Sequence, residues 1–164
     1  AGLPRVLEAP GDVDARARMM RASALAGLAI EHAMLGGAHS MANPLTRRHG
    51  VPHGLAVGVT LPHVVRFNAA DDAAAGDATR AVYAELASAA GLPGDGERAL
   101  AAALADRCAQ LLKLAGLGTT LGSLGVSAAD VPGLSAEANE QWTARFNPRG
   151  VDAAAFEGLL RAAL

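Results

Sequence analysis

Cysteine occurs once in this chain, at Cys108, lysine once, at Lys113, and aromatic side chains make up only 3% of it. A lone cysteine forbids an internal disulfide and fits a reducing cytoplasm. Scarce aromatics and isoleucine leave a core of Ala, Leu and Val, which favours closely packed helices over sheets. No run alternates with period two for long enough to make a strand. The longest apolar stretch, Ala22 to Leu35, is interrupted by Glu31 and His32 and falls short of the ~18 residues a membrane span needs. There is no basic segment followed by an apolar one at the start, as a secretory signal would require. Charged residues are 18% and the net charge is −2, which argues against nucleic acid or an anionic membrane as partner. Arginine in place of lysine, together with the alanine load, suggests a GC-rich bacterial gene. What is present suits one domain: 164 residues, 51% hydrophobic, with a mean hydropathy of +0.23 that excludes intrinsic disorder.

Glycine and proline punctuate the chain. Pro10-Gly11-Asp12 breaks the opening segment, and Asp12 or Asp14 is placed to cap a long helix beginning near Val13. That helix is apolar on nearly all faces, as expected of one buried within a bundle. Asn43-Pro44 is expected to end it, because the residue before proline is pushed out of the α region. After a connection over Thr46 to Pro52, a second helix starts at His53-Gly54, with Pro62 a point of kinking or restart. Further helices are expected over 77–90, 97–114, 135–143 and 152–164, and a loop or single turn over Thr119–Val126. The expected architecture is all-α, a bundle of about six or seven helices in one domain.

The five histidines, at positions 32, 39, 49, 53 and 63, all lie within Glu31–His63. Imidazole is a borderline ligand suited to Zn(II) and Fe(II). His32, Gly36, His39 and Asn43 share one helical stripe by their spacing. Gly36 and Gly37 remove bulk beside it at a cost of about 1 kcal/mol each relative to Ala, which makes sense if a backbone or ligand must come close. His53 opens the next helix, so a helix–turn–helix can bring it to His39. The alternative is a hydrogen-bonded core or capping histidine, the ordinary state of a buried imidazole. It serves for His32 and His63, while His49 reads as a loop residue at a pocket rim. For His39 and His53 together both readings stand on spacing alone. Two imidazoles do not close a metal site, so further donors must come from elsewhere.

Three strings carry a resemblance. They are Gly36-Gly37-Ala38-His39-Ser40-Met41-Ala42-Asn43-Pro44-Leu45, Gly50-Val51-Pro52-His53-Gly54-Leu55-Ala56-Val57-Gly58, and Leu61-Pro62-His63-Val64-Val65-Arg66-Phe67-Asn68. Downstream stand Leu117-Gly118-Thr119-Thr120-Leu121-Gly122-Ser123-Leu124-Gly125-Val126 and Phe146-Asn147-Pro148-Arg149; upstream stands Leu25-Ala26-Gly27-Leu28-Ala29. In this order the chain resembles the C-terminal helical domain of the iron-containing (group III) alcohol dehydrogenases, a superfamily that includes the maleylacetate reductases. The implied fold is the dehydroquinate synthase-like C-terminal domain.

The resemblance implies a catalytic Fe(II) or Zn(II) held by one Asp and three His, two of which fall at His39 and His53. The Asp and the remaining His belong to a segment upstream of this chain. So does the N-terminal nucleotide-binding domain that binds NAD or NADP, for no Gly-rich phosphate loop occurs here. The substrate implied is a small alcohol or carbonyl compound, or an oxo acid if the chain is of the maleylacetate reductase type. Asn43 and His49 would line its side of the site. Many members carry a second His where Asn43 stands, and an amide cannot relay a proton. A stand-alone helical interaction module with structural histidines is the competing expectation, and a homodimer pooling two histidines per copy a third.

Overall fold

The computed structural model describes residues 2–71 and 76–164, and among them every regular element is helical. Eight α-helices follow in order: α1 (Gly2–Glu8), α2 (Val13–Ala33), α3 (Gly37–His49), α4 (His53–Asn68), α5 (Gly76–Ala89), α6 (Gly96–Leu114), α7 (Val131–Asn139) and α8 (Ala153–Ala162). Short 3₁₀ turns lie at Gly122–Leu124 and Trp142–Phe146. The all-α expectation is met, with eight α-helices in place of about six or seven, because the opening segment is itself helical and the expected long helix is divided. None of these helices is long and apolar enough to cross a membrane.

The core lies between α3, α4, α7 and α8. Met41, Leu45, Val59, Leu134, Phe156 and Leu160 meet there, fully buried, with Leu121 and Val126 closing it from the loop before α7. The α5–α6 pair packs on the outside of α4, and α1 and α2 pair at one end. Asp12 caps α2, its side chain accepting the Ala15 N–H at 3.0 Å.

Four expectations are corrected. The long helix from Val13 to Asn43 is two helices. α2 ends at Ala33, and Met34 turns the chain with φ 63° and ψ 179°, a conformation that costs a non-glycine residue about 1–3 kcal/mol. His32 therefore does not share a stripe with His39 and Asn43; its Nδ1 instead pairs with the Leu28 carbonyl at 2.8 Å. Second, Pro44 lies inside α3 and does not end it. The ring removes one ladder bond, but Met41, Ala42, Pro44 and Leu45 are all buried, and that packing outweighs the local cost. The stop is Gly50, left-handed at φ 66°, whose N–H closes on the Thr46 carbonyl, so the connection to α4 is only residues 50–52. Third, α2 is not buried. Only Ala15 is covered, while Met20, Leu25 and Leu28 are 74%, 66% and 55% exposed. Its stretch from Ala22 to Ile30 carries no charge, yet its residues are exposed and no other element among the described residues covers them. Fourth, α7 starts at Val131, ahead of Ser135, with Pro132 in its first turn.

Candidate metal centre

The α3–α4 turn decides which histidines meet. His39 occupies the first turn of α3, just after Gly36 and Gly37, and His53 is the first residue of α4, fixed by Pro52 before it. Their ring centroids lie 5.4 Å apart at an interplanar angle of 49°. His39 is half-buried and His53 exposed, and neither ring has a hydrogen-bond partner among the described residues. Burial, and secondarily the facing His53, push the His39 imidazole below its usual range. His39 is thus neutral near pH 7, the form that binds a metal.

The pair fits a shared ion. A metal bonded at about 2.1 Å to a ring nitrogen sits about 3 Å from the centroid, so two imidazoles on one ion stand about 5 Å apart. No group of three or more His, Cys, Asp or Glu side chains converges among the described residues. A full coordination shell around this pair would therefore need donors beyond the described residues.

Asn43 lies one turn beyond His39 on the same face of α3. Its Nδ2 donates to Gln141 Oε1 at 2.8 Å, which turns the amide and leaves Oδ1 as an acceptor. Gln141 precedes the 3₁₀ turn holding the chain's only tryptophan. There Trp142 and Phe146 pack edge to face at 5.8 Å, both exposed, with Arg145 over the Phe146 ring. This segment carried no functional expectation, although exposed aromatics in an aromatic-poor chain are a readable signal. His49 is not brought to the pair. It is the last residue of α3, nearly the length of that helix from His39, where Asp130 is its charged neighbour. His63 is half-buried mid-α4 beside Phe67 and Leu159.

The base of the site is held by residues far away in sequence. Ser40, on the next turn from Gly37, has its Oγ 2.7 Å from Thr143 Oγ1, and both are buried. The Gly37 N–H donates to Asn147 Oδ1 at 3.2 Å. A Cβ on Gly36 or Gly37 would stand 3.1 or 3.3 Å from that oxygen. Both glycines are thus explained by the close approach of a side chain, not by a ligand.

Comparison with known proteins gives one consistent result. The model of the Fe-containing alcohol dehydrogenase family, C-terminal, matches residues 1–164. The 1,3-propanediol dehydrogenase of Citrobacter freundii is 37% identical over 140 residues, covering 84% of this chain and 34% of that protein. The lactaldehyde reductase of Escherichia coli (strain K12) is 33% identical over 142 residues, covering 85% and 35%. A crystal structure of 1,3-propanediol oxidoreductase superposes with a TM-score of 0.88 at 29% identity, over 98% of this chain and 41% of that one. The chain spans about a third of the length of the curated relatives it matches.

Proposed function

The chain belongs to the Fe-containing alcohol dehydrogenase family, as its C-terminal domain, and from that premise we propose that it is the metal-holding half of a two-domain NAD(P)-linked oxidoreductase. Its substrate is a small alcohol or the matching carbonyl compound. The observation that carries the reading is the unpartnered His39–His53 pair at 5.4 Å. Support also comes from the exposed apolar face of α2, a surface suited to the remainder of a longer polypeptide, and from the share of the relatives' length that this chain spans.

When bound, an Fe(II) or Zn(II) would supply Lewis acidity towards a substrate oxygen, and NAD(P), held mainly by the other domain, would supply the hydride chemistry. His39 and His53 would hold the ion through neutral nitrogens, from the first turns of α3 and α4, two helices packed on each other in the core. Asn43 faces the substrate side. With its Nδ2 committed to Gln141, its Oδ1 accepts a hydrogen bond from a substrate hydroxyl but cannot carry a proton away. The hydroxyl proton therefore leaves by another group or by water. His49 stands too far along α3 to share that work.

The test is metal analysis and nicotinamide-coupled oxidation of short alcohols with the complete polypeptide. His39→Ala and His53→Ala should each abolish metal retention and turnover. Unchanged metal stoichiometry in either variant contradicts the ligand assignment.

A further inference from the structure

Three motifs in the sequence have no place in that chemistry: Gly36-Gly37, Arg66-Phe67-Asn68 and Asn147-Pro148-Arg149. All three meet in one buried knot. The Asn68 and Asn147 amides pair reciprocally. Asn147 Nδ2 donates to Asn68 Oδ1 at 2.7 Å, and Asn68 Nδ2 donates to Asn147 Oδ1 at 3.2 Å. Asn147 Oδ1 also accepts the Gly37 N–H at 3.2 Å, and its Nδ2 donates to the Arg149 carbonyl at 2.7 Å. Every donor and acceptor of this amide is thus used, which allows it one orientation. The second amino hydrogen of Asn68 goes to the Tyr83 hydroxyl at 3.1 Å. Beside the knot, Arg149 donates to the Phe67 carbonyl at 2.8 Å and lies 4.0 Å over the Phe67 ring.

This knot ties together three pieces: the first turn of α3, the last turn of α4 and the strap between α7 and α8. The N-cap of α3 is Gly36, which has no side chain, so Asn147 takes over the capping of an otherwise orphaned N–H. The same strap reaches α3 three times. Asn147 holds Gly37, Thr143 holds Ser40 and Gln141 holds Asn43, so His39 is bracketed on both sides.

We propose that the Asn68–Asn147 amide pair is the positioning device of the metal centre, fixing the first turn of α3 so that His39 stands opposite His53. The proposal rests on the metal reading above. Neither asparagine touches the ion; each acts through the backbone that carries His39. Loss of outer-shell support of this kind weakens metal binding about ten-fold or more.

The experiment uses the complete polypeptide loaded with cobalt(II). It measures the dissociation constant by chelator competition, the ligand-field spectrum, and the melting temperature of the metal-free form. Asn147→Ala, and the milder Asn68→Ala, should weaken cobalt affinity about ten-fold and shift the ligand-field bands. The double variant should be no worse than Asn147→Ala alone, because one pair is being removed. Val126→Ala, a buried change outside the knot, should lower the melting temperature while leaving affinity and spectrum as in the wild type. Asparagine variants that lose only thermal stability, as Val126→Ala does, would overturn the positioning role and leave the metal reading intact. Wild-type protein that binds no cobalt, or His39→Ala that binds it unchanged, would overturn both.

Discussion

Gly37 and Gly54 make a matched pair from which the cost of one close approach can be measured. Both lie in the first turn of a helix, α3 and α4, within two residues of His39 or His53. Replacing a helical glycine by alanine gains up to about 1 kcal/mol through the backbone entropy of the unfolded chain. At Gly54 a Cβ meets nothing within 4 Å, so Gly54→Ala should show that gain, about 0.5 kcal/mol this close to a helix end. At Gly37 the Cβ would stand 3.3 Å from Asn147 Oδ1 and 3.7 Å from Phe156 Cε1. Asn147 cannot yield without loosening its bonds to Gly37 and Asn68, and a buried polar group left unpaired costs about 1–3 kcal/mol. The loss exceeds the gain, and Gly37→Ala should destabilise by about 2 kcal/mol, a fall in Tm of about 4–8 °C for a chain of this size. Urea and thermal denaturation of the metal-free protein measure both variants. A Gly37→Ala protein as stable as Gly54→Ala would refute the argument that the Asn147 contact, not helix propensity, dictates glycine there.

The remaining predictions concern neighbouring elements. Thr143→Val removes the 2.7 Å partner of the buried Ser40 hydroxyl, which keeps only a long 3.4 Å bond to the Gly36 carbonyl, and should cost about 1 kcal/mol, while adding Ser40→Ala should cost little more; chemical denaturation of the single and double variants reads the difference. Leu25→Ser with Leu28→Ser should change the stability of the 164-residue chain by no more than about 0.5 kcal/mol, since both leucines are exposed. In the proposed two-domain protein the same change should cost about 2 kcal/mol or more, and equal effects in the two settings would contradict a docked α2. Arg48, and then Arg47, hold the Glu137 carboxyl down to about 2. Its folded pKa lies below the unfolded value, so its contribution is present above pH ~4.5 and is lost as pH falls towards 2. Against Glu137→Gln, the wild type should lose its stability advantage across that window in an acid titration.

Local signals in the sequence were enough for what is local in the structure. The helices α4, α5, α6 and α8 begin within a residue or so of their expected starts, because each is announced by Gly, Pro or Asp at its boundary. The nearness of His39 and His53 was legible in their spacing across one bend, although α3 runs on to His49 and so puts His39 at its start and not near its end. Pro44 misled because local propensity predicts a stop, and only the burial of Met41 and Leu45 around it explains why α3 continues. The start of α7 is signalled by Asp130-Val131-Pro132, a proline in the first helical turn. The exposure of α2 could not be read, because an apolar helix looks the same whether its partner lies within the chain or outside it. Nor could the Asn68–Asn147 knot, which joins residues far apart in sequence. Both motifs were visible, but no periodicity says that they touch.

The central claim is that His39 and His53 bind one ion. Anomalous diffraction at the iron or zinc edge, on crystals of the metal-loaded complete polypeptide, tests it most directly. The account predicts a single peak within about 2.1 Å of a nitrogen on each ring. A peak bonded to only one of the two imidazoles, or to neither, would contradict it.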